Sequence, residues 1–331
     1  ISYNYSDGND YYPVKLIKDY KNQNDIFING NLYSVRFVQN FGTDFYIQND
    51  INNPIPVYNS EEFVNMKQNG NYILMNDIVL AQNTDVELLK NGYTPFVANF
   101  DSLDGNGYKV IIKNLNVDLS NTLEEYNFGL FSEVSENCLI KNLTVKFDLQ
   151  NISTESNFVE DYNILNFENV SSLTFGSICA VNKGLIYNCF VENLKNGYQE
   201  DLFYVVVQNI VNDAQTRAVI GGFVGKNEGI ITNSRTELKL CASKGFVGGF
   251  AGDNSGTISS CYFKNVIVKN LGEDENTSSL AGFVHNNTGT IKFSFVEGDS
   301  RFVDSGRYLC NTALSNYALT APTSVGGFVF N

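Results

Sequence analysis

The chain has no tryptophan, a single histidine, two methionines and five prolines among 331 residues. One histidine and no Cys-x-x-Cys pair leave the usual zinc-ligand spacings unfilled. The two-histidine His-Glu-x-x-His signature of zinc proteases is absent for the same reason. Positive charge is also scarce: 22 Lys and Arg against 36 Asp and Glu give a net charge of −14. Such a chain is poorly suited to nucleic acid or to an anionic membrane surface. No apolar run approaches the ~20 residues of a membrane span, so membrane insertion is not expected. The chain starts at Ile1 without Met or a signal peptide, which suggests a processed protein or a fragment.

Asparagine, by contrast, is abundant, at about one residue in seven. Some of it repeats. The segments Ser177 to Ile186, Gly222 to Ile231, Gly249 to Ile258 and Gly282 to Ile291 share the pattern G-F-x-x-x-N-x-G, the first with Ser-Ile-Cys in place of Gly-Phe-Val. A fifth copy begins at Gly327-Phe328, with Asn331 taken as its asparagine. The recurring asparagines are Asn182, Asn227, Asn254 and Asn287, and the recurring aromatics are Phe223, Phe250 and Phe283. Self-similarity at tens of residues means stacked units, none of which can bury its apolar face alone.

Each unit reads as a short apolar run, a turn at Asn-x-Gly, a second short run and a polar turn. Asn and Gly both tolerate the left-handed backbone that such a turn is expected to use. The runs are strand length and rich in Phe, Val and Ile. Stacking them places the phenylalanines in one column and the asparagines in another, where side-chain amides can hydrogen-bond from unit to unit. The fold class expected is all-β, a parallel β-helix with coils about 4.8 Å apart. The shortest spacing, Asn227 to Asn254, sets the bare coil at 27 residues. Longer intervals must hold extra half-coils or excursions, one of them Asn193 to Arg217 with its apolar run Leu202 to Val207.

These repeats resemble the GLUG-motif repeats of bacterial surface proteins and of the non-catalytic part of IgA-protease-like proteins. The resemblance extends upstream. Pro56 to Phe63 with Gly70 to Ile78 looks like the entry segment, Phe100 to Tyr108 with Ile112 to Leu115 the first coil, and Gly129 to Phe131 with Ile140 to Leu143 the second. It implies a pectate-lyase-like right-handed parallel β-helix over residues 56–331, usually a stalk or adhesive segment and not an enzyme. Residues 1–55 lack the repeat and read as a small β module or cap. There Ile26 to Val35 is a hairpin signal turning at Asn29-Gly30, and Phe45-Tyr46-Ile47 is a further strand candidate. Pro54 and Pro56 mark the boundary. Residues 59–68 suggest a short helix, with Asn59 or Ser60 as N-cap and two glutamates in its first turn.

Enzyme signatures in the chain are incomplete. Asn83-Thr84-Asp85 matches one polygalacturonase motif by letters, but the partner motifs are missing, so no catalytic residue is assigned. Arg36, Arg217, Arg235, Arg301 and Arg307 share no coil position that would form a lyase row. Asp101 and Asp104 do not fit an EF-hand loop, because Leu103 and Ile112 occupy ligand positions. They read as turn residues, Glu273-Asp274-Glu275 as a solvated loop tip, and no metal or cofactor is expected. His285, placed in the ladder turn where other copies have Ala180, Gly225 and Gly252, reads as structural for want of a nearby nucleophile.

Six cysteines, Cys138, Cys179, Cys189, Cys241, Cys261 and Cys310, suit an oxidising compartment, with buried free thiols as the competing reading. Cys189 and Cys261 should lie two coils apart with Ser234 between them, too far to bridge, whereas Cys179–Cys189 could close locally. Sequons at Asn4, Asn142, Asn151, Asn169, Asn276 and Asn286 are candidate glycosylation sites. The functional expectation is a non-enzymatic, extracellular or cell-surface structural or adhesive protein: a stalk, or a fibre subunit assembling head to tail with itself. The alternatives are a glycan-binding module, which needs a line of outward aromatics, and a carbohydrate-active enzyme, which needs clustered carboxylates in a groove.

Overall fold

The structure is a computed structural model. It describes residues 2–6, 11–16, 25–28, 31–34, 54–116, 126–149, 163–168, 172–192, 203–208, 217–238, 240–242, 245–264, 268–270, 278–297 and 325–326. Five sheets share one construction: strands far apart in sequence lie side by side, parallel and largely in register. The first face comprises Tyr126–Phe128, Ser172–Gly176, Arg217–Gly221, Gly245–Gly248, Ser278–Ala281 and Val325–Gly326. The second comprises Phe96–Ala98, Phe131–Val134, Cys179–Asn182, Val224–Asn227, Ala251–Asn254 and Val284–Asn287. The third runs from Ile55–Val57 through Asn71–Leu74, Ser102–Asp104, Leu139–Lys141, Leu185–Tyr187, Ile230–Thr232 and Thr257–Ser259 to Thr290–Lys292. The fourth runs from Ile78–Leu80 through Lys109–Ile112, Thr144–Phe147, Phe190–Glu192, Arg235–Thr236 and Tyr262–Lys264 to Phe295–Glu297. The fifth comprises Asn163–Glu168, Phe203–Gln208, Leu240–Ala242 and Val268–Asn270. The chain visits the faces in turn, and the fold is a right-handed parallel β-helix.

Alternation on each short strand builds the core. On the third face the middle residue points inward, so Leu103, Ile140, Ile186, Ile231 and Ile258 form one fully buried column. Their neighbours Leu185, Tyr187 and Ile230 point out. At the corner before the second face, Leu130, Ile178, Phe223, Phe250 and Phe283 form another buried column. Ile178 takes the phenylalanine place, so the Ser-Ile-Cys departure keeps coil geometry: the Ile178 amide donates to the Phe223 carbonyl as Phe223 does to Phe250.

Four details differ from expectation. The unit has five faces rather than two runs, and all five fit into the 27 residues from Phe223 to Phe250. The run at 203–208 is therefore an ordinary strand of the fifth face, not an extra half-coil. The left-handed backbone is not at Asn-x-Gly. It lies one corner further on, at Asn142, Asn188, Asn233, Ser260 and Phe293, with φ of 53°, 52°, 51°, 52° and 51°. The glycines of Asn-x-Gly are needed instead because the coils approach closely: a Cβ on Gly229 would sit 2.2 Å from the Gly184 carbonyl oxygen. Finally, Leu280 pairs with Val325 and Ala281 with Gly326. Asn331 lies outside the described residues, and in the sequence it follows Gly327 by four residues where Asn287 follows Gly282 by five, one short of the repeat.

At the amino-terminal side, Ser2–Ser6, Tyr11–Leu16, Asp25–Ile28 and Asn31–Ser34 form an antiparallel four-stranded sheet, with Ile28 paired to Asn31 across the expected Asn29-Gly30 turn. Phe45-Tyr46-Ile47 lies outside the described residues. Strand Ile55–Val57 crosses the expected 55/56 boundary and carries Pro56, tolerated because this is the edge of its sheet. The helix is shorter than 59–68, covering Ser60–Val64. Asn59 is its N-cap, its side chain accepting from the Glu62 amide at 2.9 Å, while the Glu62 carboxylate accepts from the Tyr58 amide. This helix drives Phe63 into the first coils, where it is fully buried with its centroid 6.0 Å from those of Phe96 and Phe131.

Candidate functional site

Two inward ladders gather most of the side chains that the repeat singles out. The asparagine ladder is continuous: Asn182 Nδ2 donates to Asn227 Oδ1 at 2.8 Å, Asn227 to Asn254 at 2.7 Å, and Asn254 to Asn287 at 2.6 Å. Its first acceptor, Asn182 Oδ1, is an orphan because the preceding coil offers Val134 at that place. Beside it the phenylalanines stack, Phe223 on Phe250 at 4.6 Å and Phe250 on Phe283 at 4.9 Å.

A second, outer amide ladder escaped sequence reasoning. Asn188 Nδ2 donates to Asn142 Oδ1 at 2.7 Å and Asn233 Nδ2 to Asn188 Oδ1 at 3.2 Å, while Asn142 Nδ2 donates to Asp104 Oδ1 at 3.0 Å. The signal was the asparagine two places after the buried isoleucine, in Ile140-Lys141-Asn142, Ile186-Tyr187-Asn188 and Ile231-Thr232-Asn233. Asn142 thus has both amide ends engaged, whereas the sequon residue Asn286 is exposed. Asn4 lies in the first strand with its side chain outside the described residues, as Asn151, Asn169 and Asn276 are altogether. Asp104 is held by Lys141 at 3.1 Å as well as by Asn142, and Asp101 is exposed on the corner before it. Asn83 accepts from the Asp85 amide in a local turn. Glu273 to Glu275, Arg36, Arg301 and Arg307 lie outside the described residues.

The seam between the outer sides of the first and second faces holds the densest chemistry. Ala180, Gly225 and Gly252 are small there because first-face side chains lie on them: a Cβ on Gly225 would meet Thr174, and one on Gly252 would meet Val219. The last copy breaks the pattern. His285 is in strand Val284–Asn287, not in the ladder turn, and its Nε2 lies 2.5 Å from Ser279 Oγ. A hydroxyl therefore does sit beside the histidine, six residues earlier and across a corner. Both are buried, Ser279 at 2% and His285 at 8% exposure. Phe246 packs on the imidazole at 5.1 Å. Burial, and after it the Arg217 cation, lowers the His285 pKa to about 4. Burial also raises the Asp253 carboxyl above its usual range, against the pull of Arg217, Lys226 and Asn286. A base this weak, hydrogen-bonded to a hydroxyl buried from substrate, is poorly placed for acyl transfer.

The fourth face carries an outward row: Phe190, Arg235, Tyr262 and Phe295. The Arg235 guanidinium lies 4.3 Å from the Phe190 centroid and 6.0 Å from that of Tyr262, which stacks on Phe295 at 5.0 Å and 3°. Arginines 217 and 235 lie on different faces.

Cys138, Cys179, Cys189 and Cys261 are free and buried. The local Cys179–Cys189 bridge is not formed: Cys179 lies on the second face, while the Cys189 thiol, at the corner before the fourth, is directed at the Tyr187 carbonyl 3.4 Å away. Ser234 stands between Cys189 and Cys261, its Oγ accepting from the Cys189 amide. Burial pushes the Cys138, Cys189 and Cys261 pKa values up to about 12, which makes these thiols poor nucleophiles. The Cys241 side chain and Cys310 lie outside the described residues.

No protein-family model matches the chain, and no curated protein does. A solved structure from Bacteroides ovatus, named a "putative immunoglobulin A1 protease", is similar at 15% identity and a TM-score of 0.36, over 85% of each chain. At that score the likeness bears on neither the fold nor the activity of this chain.

Proposed function

We propose that this chain is a non-enzymatic structural or adhesive β-helix working outside the cell, as a surface stalk or as a fibre subunit that assembles head to tail. The observation that carries the reading is where the polar chemistry goes. The asparagine ladder is spent on coil-to-coil hydrogen bonds, and the Ser279–His285 pair is buried at a seam. The GLUG-like repeat points the same way. Electron microscopy of native material tests it, with isolated rods expected for a stalk and continuous fibres for a subunit. The fibre form further requires that deleting residues 1–20 changes particle size in light scattering. A full-length chain that stays monomeric at high concentration leaves only the stalk. Turnover on pectin, chitin, xylan or hyaluronan that one carboxylate substitution abolishes would overturn the non-enzymatic reading.

A second reading, a glycan-binding module, is favoured by the outward row of Phe190, Arg235, Tyr262 and Phe295. Against it, Tyr262 and Phe295 present ring faces to each other rather than to solvent. A glycan-array signal lost in Tyr262→Ala and Arg235→Gln would move the assignment to this reading.

A further inference from the structure

The seam between the first two faces is uniform until its last described coil. There a histidine replaces a series of Ala and Gly, and it couples two strands of that coil, Ser278–Ala281 and Val284–Asn287, through Ser279. We propose that His285 makes this coil acid-releasable, opening on acidification while the coils before it, with Ala180, Gly225 and Gly252 at the same place, stay closed.

Among the described residues, the groups around the imidazole set the sign. From the first face come the Arg217 cation, the Ser279 hydroxyl and the Phe246 ring, which Arg217 also approaches at 6.0 Å. On the preceding coil of the second face, Asp253 is engaged by Arg217, Lys226 and Asn286. The Ser279 bond can persist in either protonation state, with Nε2–H donating to Oγ once the ring is charged. What changes is that a second cation enters a buried place beside Arg217.

The linkage follows. An unfolded histidine titrates near 6.5, and the folded one at about 4. The contribution of the neutral imidazole is complete above about pH 6.5 and is lost as pH falls towards 4. Opening should become up to about tenfold more favourable per pH unit, approaching about 300-fold over the 2.5 units. Asp253 acts in the opposite direction, because its raised folded pKa makes protonation favour the closed state.

The chain has a single histidine, so its imidazole NMR signals need no assignment. Titration of the folded full-length protein should give an apparent pKa near 4; a value near 6.5 overturns the proposal. Hydrogen exchange, corrected for intrinsic rates, should show peptides covering 278–292 losing protection between pH 6.5 and 4.5 relative to those covering 217–232. His285→Gly should abolish that difference. Equal loss in the two regions, or an unchanged response in His285→Gly, overturns the proposal. If that variant does not fold, Arg217→Gln decides: removing the second cation should shrink the acid response, and a full response contradicts it.

Discussion

The first coil of the solenoid and the last one described on the second, third and fourth faces are built to opposite standards. At the first, a capped helix inserts Phe63 against Phe96 and Phe131, and Tyr93 is fully buried with its hydroxyl donating to the Leu130 carbonyl. At the last, Phe293 is 86% exposed in a left-handed backbone where earlier coils have Asn188, Asn233 and Ser260. Phe295 is 52% exposed beside it, and His285 replaces glycine. Every coil must bury a flat apolar end against something, and a helix that covers that end also prevents another coil from stacking there. The cap thus bears on the head-to-tail proposal: a neighbour would have to engage the first end around the helix rather than continue the coils.

The largest effects should come from rings that join neighbouring coils. Phe63→Ala and Phe250→Ala should each destabilise by about 3–5 kcal/mol in urea unfolding, through lost burial and a cavity. They separate by location. The first should expose amides of the opening coils, the second those around the Phe223 and Phe283 stack. Equal patterns in the two variants would erase the distinction between cap and interior.

Asn227→Ala should cost about 2–4 kcal/mol, because it strands the Asn182 donor and the Asn254 acceptor together. Asn287→Ala should also destabilise, because it strands the Asn254 donor. Unchanged stability in either variant would mean the ladder does not hold the coils together.

Acidification should remove about 3 kcal/mol or less of stability between pH 6.5 and 4 through His285, and His285→Gly should flatten that slope. The smallest effect has the opposite sign. Phe293→Asn should stabilise by about 1 kcal/mol, because asparagine tolerates the left-handed conformation that a bulky residue resists. A lower melting temperature in that variant would mean that the phenylalanine ring has a partner worth more than its backbone strain.

The sequence showed some of this plainly. Phe223, Phe250 and Phe283 repeat because inward columns must keep their shape from coil to coil, and Asn182 to Asn287 repeat because an amide ladder fails where one rung is missing. The fourth and fifth faces were not legible. Their inward places hold Val191, Thr236 and Phe263, or Phe203 and Leu240, which share burial but not identity, and insertions of different length separate them. The helix cap was legible through Asn59 and Glu62, but its length was not, since five residues leave little periodicity to read. The Ser279–His285 contact crosses a corner and exists in one coil, so no repeat announced it.

Hydrogen exchange of the full-length chain at pH 7, resolved coil by coil, tests the contrast between the two ends most directly. The account predicts strong protection through the strands Asn71–Leu74, Ser102–Asp104, Leu185–Tyr187 and Ile230–Thr232, falling at Val284–Asn287, Thr290–Lys292 and Phe295–Glu297. Protection that is uniform along the solenoid, or lower at the helix-capped coils than at the last, would contradict it.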